Sequence, residues 1–165
     1  SKILLNAALE TGLPVWVGLS CCDSKFDNSV IGRNFRAEKE KSLIYDENKY
    51  KDQPKYLPED KIILLEDIIK SLTSLGGDVY GIMHTWFQDS IGGLKILKNN
   101  WKGPIMFYPE IHKFDTNTHK AIITMTEEEF SNSILELIDD QIQIVGGCCG
   151  VNDKHLKRLI QSISE

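Results

Sequence analysis

Positive charge is in deficit here: 19 Lys and Arg stand against 24 Asp and Glu, leaving a net charge of −5. A surface that grips a phosphate backbone needs the opposite balance, so no nucleic-acid partner is expected. Long apolar runs are missing as well. Stretches such as Ile62-Ile63-Leu64-Leu65 fall far short of the ~20 residues that span a bilayer, and no membrane role is expected. The four cysteines have neither the spread of a secreted disulfide framework nor a CxxC spacing. They form two adjacent pairs, Cys21-Cys22 and Cys148-Cys149, and neighbouring cysteines rarely meet disulfide geometry with each other. A reducing, cytoplasmic setting is therefore expected, and neither end shows a signal-peptide or lipidation pattern. Nor is there an initiator Met. Ser1 to Glu10 reads as a helix already in progress, as in a fragment or one product of a split chain.

What is present is an ordinary globular composition, 41% hydrophobic and 26% charged over 165 residues. That length suits one domain with a real core. Lys2 to Leu9 reads as a helix stopped by Gly12 and Pro14. Val15 to Leu19 reads as a buried strand running into a loop at Ser20 to Asp23. Residues 23 to 60 are a long polar excursion, with a short helix expected at Ala37 to Ile44. A helix over Asp60 to Leu75 then leads to a strand at Val79 to Met83, with His84 at its carboxyl end. Asp89 to Trp101 reads as a helix and Ile105 to Tyr108 as the third strand. Thr126 to Asp140 reads as a helix opened by a capping box. Ile142 to Val145 is the fourth strand, and Asp153 to Ser162 is the last helix, capped by Asn152.

Alternating apolar strands and helices predict a parallel sheet covered by helices, either half of a (β/α)8 barrel or a small open sheet. In both, function gathers at the carboxyl ends of the strands. Cys148-Cys149, His84 and Cys21-Cys22 all fall there. Thiolates and imidazole are good zinc ligands, and a catalytic zinc keeps three protein ligands and one open position. Consecutive side chains on a strand point to opposite faces, so Cys148 and Cys149 can share an ion only across a sharp bend. Gly146, Gly147 and Gly150 permit one. Two readings of the pair stay open: a metal site, or inert buried thiols.

The stretch "IVGGCCGVNDKHLKRL" (Ile144 to Leu159) resembles the closing motif of the homocysteine S-methyltransferases. Upstream, "GLPVWVGLSC" (Gly12 to Cys21) is similar to that family's fifth strand, and "VYGIMHT" (Val79 to Thr85) sits where the family has Gly-Val-Asn-Cys. "GPIMFYPEIHKFD" (Gly103 to Asp115) resembles its Tyr-Pro-Asn-x-Gly strand and loop, and "MTEEEF" (Met125 to Phe130) its Thr-Pro-Glu-Glu-Phe helix start. The resemblance covers the whole chain. It implies that residues 1–165 are the carboxyl-terminal half, strands five to eight, of a (β/α)8 TIM-type barrel. It further implies zinc held by three cysteines, with the thiol of homocysteine in the fourth position. Bound there, the thiol (pKa ~8.5 when free) would lose its proton and take a methyl group from a donor, giving methionine.

On this resemblance Cys148 and Cys149 are two metal ligands. The third family cysteine is replaced by His84, so the expected set is Cys148, Cys149 and His84. A Cys₂His site carries one negative charge less, which makes a stronger Lewis acid and a less nucleophilic bound thiolate. Trp86 could wall the substrate pocket. Cys21 either faces the site as a substrate contact or is an unliganded thiol. His112 stands where the family has glycine and reads as a surface-loop residue, an extra ligand or a substrate contact, and His155 as an exposed residue of the last helix. The family's glycine-rich opening motif and its acid for the substrate's amino group lie in the half with no counterpart here. Four strands cannot close a barrel, so a complementary amino-terminal half or self-association is expected. The rival expectation is a non-catalytic, metal-free member of the same fold, serving as a structural subunit or a small-molecule binding partner.

Overall fold

The computed structural model describes residues 2–23, 29–32, 63–115 and 120–164. The chain opens with helix α1 (Lys2–Leu9), ended at Gly12, whose φ of +70° a side chain would resist. Strand β1 (Trp16–Leu19) follows. Next comes a hairpin of β2 (Cys21–Asp23) and β3 (Val30–Gly32), in which Cys21 pairs with Gly32. The expected loop after Leu19 is thus partly a strand. The helix expected at Ala37 to Ile44 lies outside the described residues.

Helix α2 (Leu65–Thr73) begins later than its periodicity suggests, because Leu64 is extended and bridges to Ile31. Strand β4 (Val79–Trp86) runs three residues beyond the expected Met83. Helix α3 (Phe87–Asn100) and strand β5 (Ile105–Glu110) come next. A second hairpin, β6 (His112–Asp115) with β7 (Lys120–Ile123), was not expected from the sequence. Helix α4 (Glu127–Leu135) starts on the expected capping box: Thr126 Oγ1 accepts from the Glu129 N–H at 3.2 Å, and the Thr126 N–H donates to Glu129 Oε2 at 2.8 Å. Such a cap contributes about 1 kcal/mol. The helix stops at Leu135 and not at Asp140. Asp139 Oδ1 instead accepts from the Gln141 and Ile142 N–H groups, a local turn that competes with helix. Strand β8 (Ile142–Val145) and helix α5 (Asp153–Ser164) close the chain.

Four strands form one parallel sheet in the order β1-β4-β5-β8. The order follows the chain without reversal, and each crossover carries a helix. That is the winding of a barrel; an open doubly wound sheet would reverse direction at a switch point. Successive β4 residues alternate faces. Tyr80 and Ile82 are fully buried in the apolar core, where Ile82 and Leu65 of α2 both lie close to Gly93 of α3. On the other face Gly18 and Gly81 leave room for Met83 and Met106 to lie across the sheet, since a Cβ at either position would fall within 2.1 Å of those side chains.

The core is carried on by Phe87, Phe107 and Phe130, with ring centroids 6.2 and 6.5 Å apart from Phe87. Burying each such ring contributes about 1.5–3 kcal/mol. His155 belongs to this core and is not exposed as expected. It is 2% accessible and packs edge-on against Phe130. Its Nε2 lies 3.3 Å from the Met125 carbonyl, and its Nδ1 lies 2.9 Å from Asn152 Oδ1 and 3.3 Å from the Asn152 backbone nitrogen. The expected cap is present, with Asn152 Oδ1 accepting from the Lys154 and His155 N–H groups.

Candidate metal centre

Past Val145 the chain stays beside β5. The Gly146 N–H donates to the Phe107 carbonyl, Cys148 N–H to Pro109, and Ile111 N–H to Cys149. Gly146 is required by proximity, because a Cβ there would lie 2.5 Å from the Tyr108 ring. The chain then turns back. Val151 N–H donates to the Cys148 carbonyl at 3.1 Å, closing a four-residue turn whose third residue, Gly150, has φ +90°. A type II turn needs a positive φ there. Turning at Cys149-Gly150 breaks the strand alternation and brings both thiols to one side, with the sulfurs 3.8 Å apart.

His84 arrives from the end of β4, across β5. It is the one described non-glycine residue with a positive φ, +50°, and it lies inside the register shift between Met83 and Trp86. A left-handed residue with a Cβ costs about 1–2 kcal/mol, and such strain persists only where neighbours fix it. Thr85 is one such neighbour: it is fully buried, donates to the Met83 carbonyl at 3.0 Å and accepts from the Cys21 N–H at 2.9 Å. Held this way, His84 Nδ1 lies 3.2 Å from Cys148 Sγ, between residues 64 apart in sequence.

Ligand atoms of His84, Cys148 and Cys149 all fall within 4.8 Å of one another. Zinc with Zn–S near 2.3 Å and Zn–N near 2.05 Å would set tetrahedral edges of about 3.8 Å between sulfurs and about 3.5 Å from sulfur to nitrogen. The observed 3.8 and 3.2 Å match the first and fall slightly inside the second. The donor set therefore fits such an ion. His84 and Cys149 are exposed and Cys148 half-buried, so a small molecule can reach the group. The Cys149 thiol is pushed up in pKa by desolvation, by its hydrogen bond with Cys148 and by the charges of Cys148 and Glu110.

A second group shares Cys149. Glu110, at the end of β5, and His112, at the start of β6, place ligand atoms within 4.8 Å of it and of each other. His112 is half-buried in the hairpin, not a surface-loop residue. Among the described residues its buried Nδ1 has no hydrogen-bond partner. The sequence reading passed over Glu110, whose signal was an acid directly following Tyr108-Pro109 at a strand end.

The remaining expected residues lie elsewhere or at the margin. Trp86 is half-buried, two residues past His84 on β4. Cys21 is 1% exposed in the core, with Gly93 packed against its sulfur, and burial drives its pKa from 9.0 to about 12. It joins neither group. A cleft of about 420 Å³ opens between the starts of α4 and α5, lined by Thr126, Glu129, Asn152 and His155 among others. None of the thiol group lines it.

Among known proteins, no individual curated sequence matches the chain. The family model for homocysteine S-methyltransferase matches residues 64–163, a span that includes β4, β5, β8 and both clusters of donor atoms. The parallel sheet is accordingly half of the (β/α)8 barrel of that family, a family of methyl-transferring enzymes. With more than half of its length matched and its strands wound in barrel order, this chain belongs to the homocysteine S-methyltransferase family.

Proposed function

We propose that the chain transfers a methyl group to the thiol of homocysteine, giving methionine, with zinc held by Cys148, Cys149 and His84. The observation that carries this reading is the convergence of two adjacent thiols, 3.8 Å apart, with an imidazole nitrogen 3.2 Å from one of them. Three donors leave one position for a substrate sulfur. When bound, zinc supplies a thiolate at neutral pH from a thiol that is otherwise mostly protonated. The chain's own part is geometric: the turn at Gly150 presents the sulfurs, the bulge at Thr85 aims the imidazole, and Trp86 walls the pocket beside it. A reducing, cytoplasmic setting belongs to this reading, since paired thiols hold metal only while reduced.

Residues 1–165 act in this reading as one partial domain, strands five to eight of the barrel. A complementary half supplies the other four strands and the group that holds the substrate's amino end. Two features support it. Among the described residues, edge strands β1 and β8 each have one neighbour in the sheet, and apolar side chains stay exposed on α1 (Ile3, Leu4), at Leu13 and Trp16, and on α5 (Ile160, Ile163).

Metal analysis of the purified protein tests the first part. Bound zinc whose amount falls on Cys148→Ser or Cys149→Ser is expected. A folded protein that takes up no zinc would favour the metal-free, non-catalytic subunit. Methyl transfer to homocysteine, assayed with the complementary half added, tests the reaction. His84→Cys should tighten zinc, and an unchanged affinity would remove that residue from the set.

A further inference from the structure

We propose a second cation site on the same rim, in which Glu110, His112 and Cys149 hold a divalent transition-metal ion of the zinc type. It depends on the proposed function only through Cys149, which both donor groups share.

The donor chemistry selects the ion. Carboxylate oxygen, imidazole nitrogen and thiolate sulfur within 4.8 Å of one another form a set that zinc accepts in full. Calcium and magnesium take oxygen ligands almost alone. Three protein donors again leave an open position, which marks a site for exchangeable ligands over a closed structural one.

The scaffold is already in place. Ile111, between Glu110 and His112, is fully buried; its N–H donates to the Cys149 carbonyl at 2.9 Å, and its own carbonyl accepts from the Thr124 N–H at 2.8 Å. Gly150 lies against the His112 backbone so closely that a Cβ would sit 3.1 Å from both His112 N and Cβ. The three donors thus stand on segments tied to one another, two strand ends and a turn, and little reorganisation is needed to bind. The independent sign of a ligand is His112 itself. Its buried Nδ1 has no hydrogen-bond partner among the described residues, although buried ring nitrogens are as a rule satisfied. Glu110, 9% exposed, brings a carboxylate next to the Cys149 thiol. A dication set between them offsets the charge that both would carry when ionised. A thiolate such as Cys149 has lone pairs enough to serve two ions at once.

The test is the zinc stoichiometry of the full chain by equilibrium dialysis, on wild type, His112→Ala, Glu110→Gln and His84→Ala, with denaturation midpoints to show that each is folded. Two ions are expected for wild type. His112→Ala and Glu110→Gln should each bind one, and His84→Ala should also keep one. Glu110→Gln nearly preserves shape, so it serves if the alanine variant unfolds. Saturation at one ion, unaffected by His112→Ala or Glu110→Gln but lost in His84→Ala, overturns the second site and leaves the proposed function standing. One ion that survives His84→Ala and is lost in His112→Ala supports the second site and removes the first. Wild type without bound zinc overturns both.

Discussion

The chain contains the same dipeptide twice, each time at the carboxyl end of a parallel strand, and the two copies have opposite fates. Cys21-Cys22 enters a hairpin strand, where the pleat sends consecutive side chains to opposite sides: Cys21 is in the core, Cys22 half-buried and Asp23 exposed. Cys148-Cys149 enters a turn closed at Gly150, and its sulfurs meet. What separates them is the residue that follows. Asp23 continues an extended chain, whereas Gly150 permits a left-handed step. Composition placed four thiols in the molecule; backbone conformation decides which of them can act together.

The sharpest way to break this comparison is to remove a sulfur from each pair. Cys149→Ser should weaken zinc binding about 100-fold or more, on the reasoning that one protein ligand of three carries roughly a third of ~12 kcal/mol. Cys22→Ser should leave zinc binding unchanged. Competition with a chelator of known affinity reads both. Equal losses would show that the first pair also holds metal.

Next in size is the crowding of Cys21. Gly93→Ala would put a methyl group 2.5 Å from the Cys21 sulfur, and such overpacking should cost about 1–3 kcal/mol in urea denaturation without touching metal affinity. The mirror experiment is Gly150→Ala. At φ +90°, with His112 atoms 3.1 Å away, a side chain is strained by about 1–2 kcal/mol. That change should loosen zinc as well as stability, because the turn presents the donors.

The smallest effect is a matter of pH. The Cys21 thiol titrates near 9.0 when exposed and at about 12 in the fold, so burial favours its neutral form. Its contribution is fully present below pH 9 and is lost as pH rises from there toward 12. Cys21→Ala should therefore lose less stability than wild type between about pH 8 and pH 10, measured as denaturation midpoints at each.

Some of this could be read from the sequence because it was local. Thr126 and Glu129 announce their helix, the residues of β8 announce their strand, and glycines around Cys148-Cys149 announce a bend. The rest depends on contacts distant in sequence. His84 is aimed by a bulge that Thr85 pins to the Cys21 backbone, 64 residues away, and nothing near position 84 foretells a left-handed residue. The His112 hairpin needs Lys120–Ile123 as its partner strand. For His155 the sign was present and misread: Leu159 lies one turn further along, and the two are the buried residues of α5.

The crossing of β5 by the pair His84 and Cys148 has a consequence for assembly. Two donors drawn from strands that are not neighbours can meet only after the intervening strand and the helices that carry its connections have docked. An ion caught between them would act as a clasp, favouring the finished sheet over every partly built one by its binding energy. Uptake of metal would then report, without any enzymatic readout, that three consecutive strands had found their places.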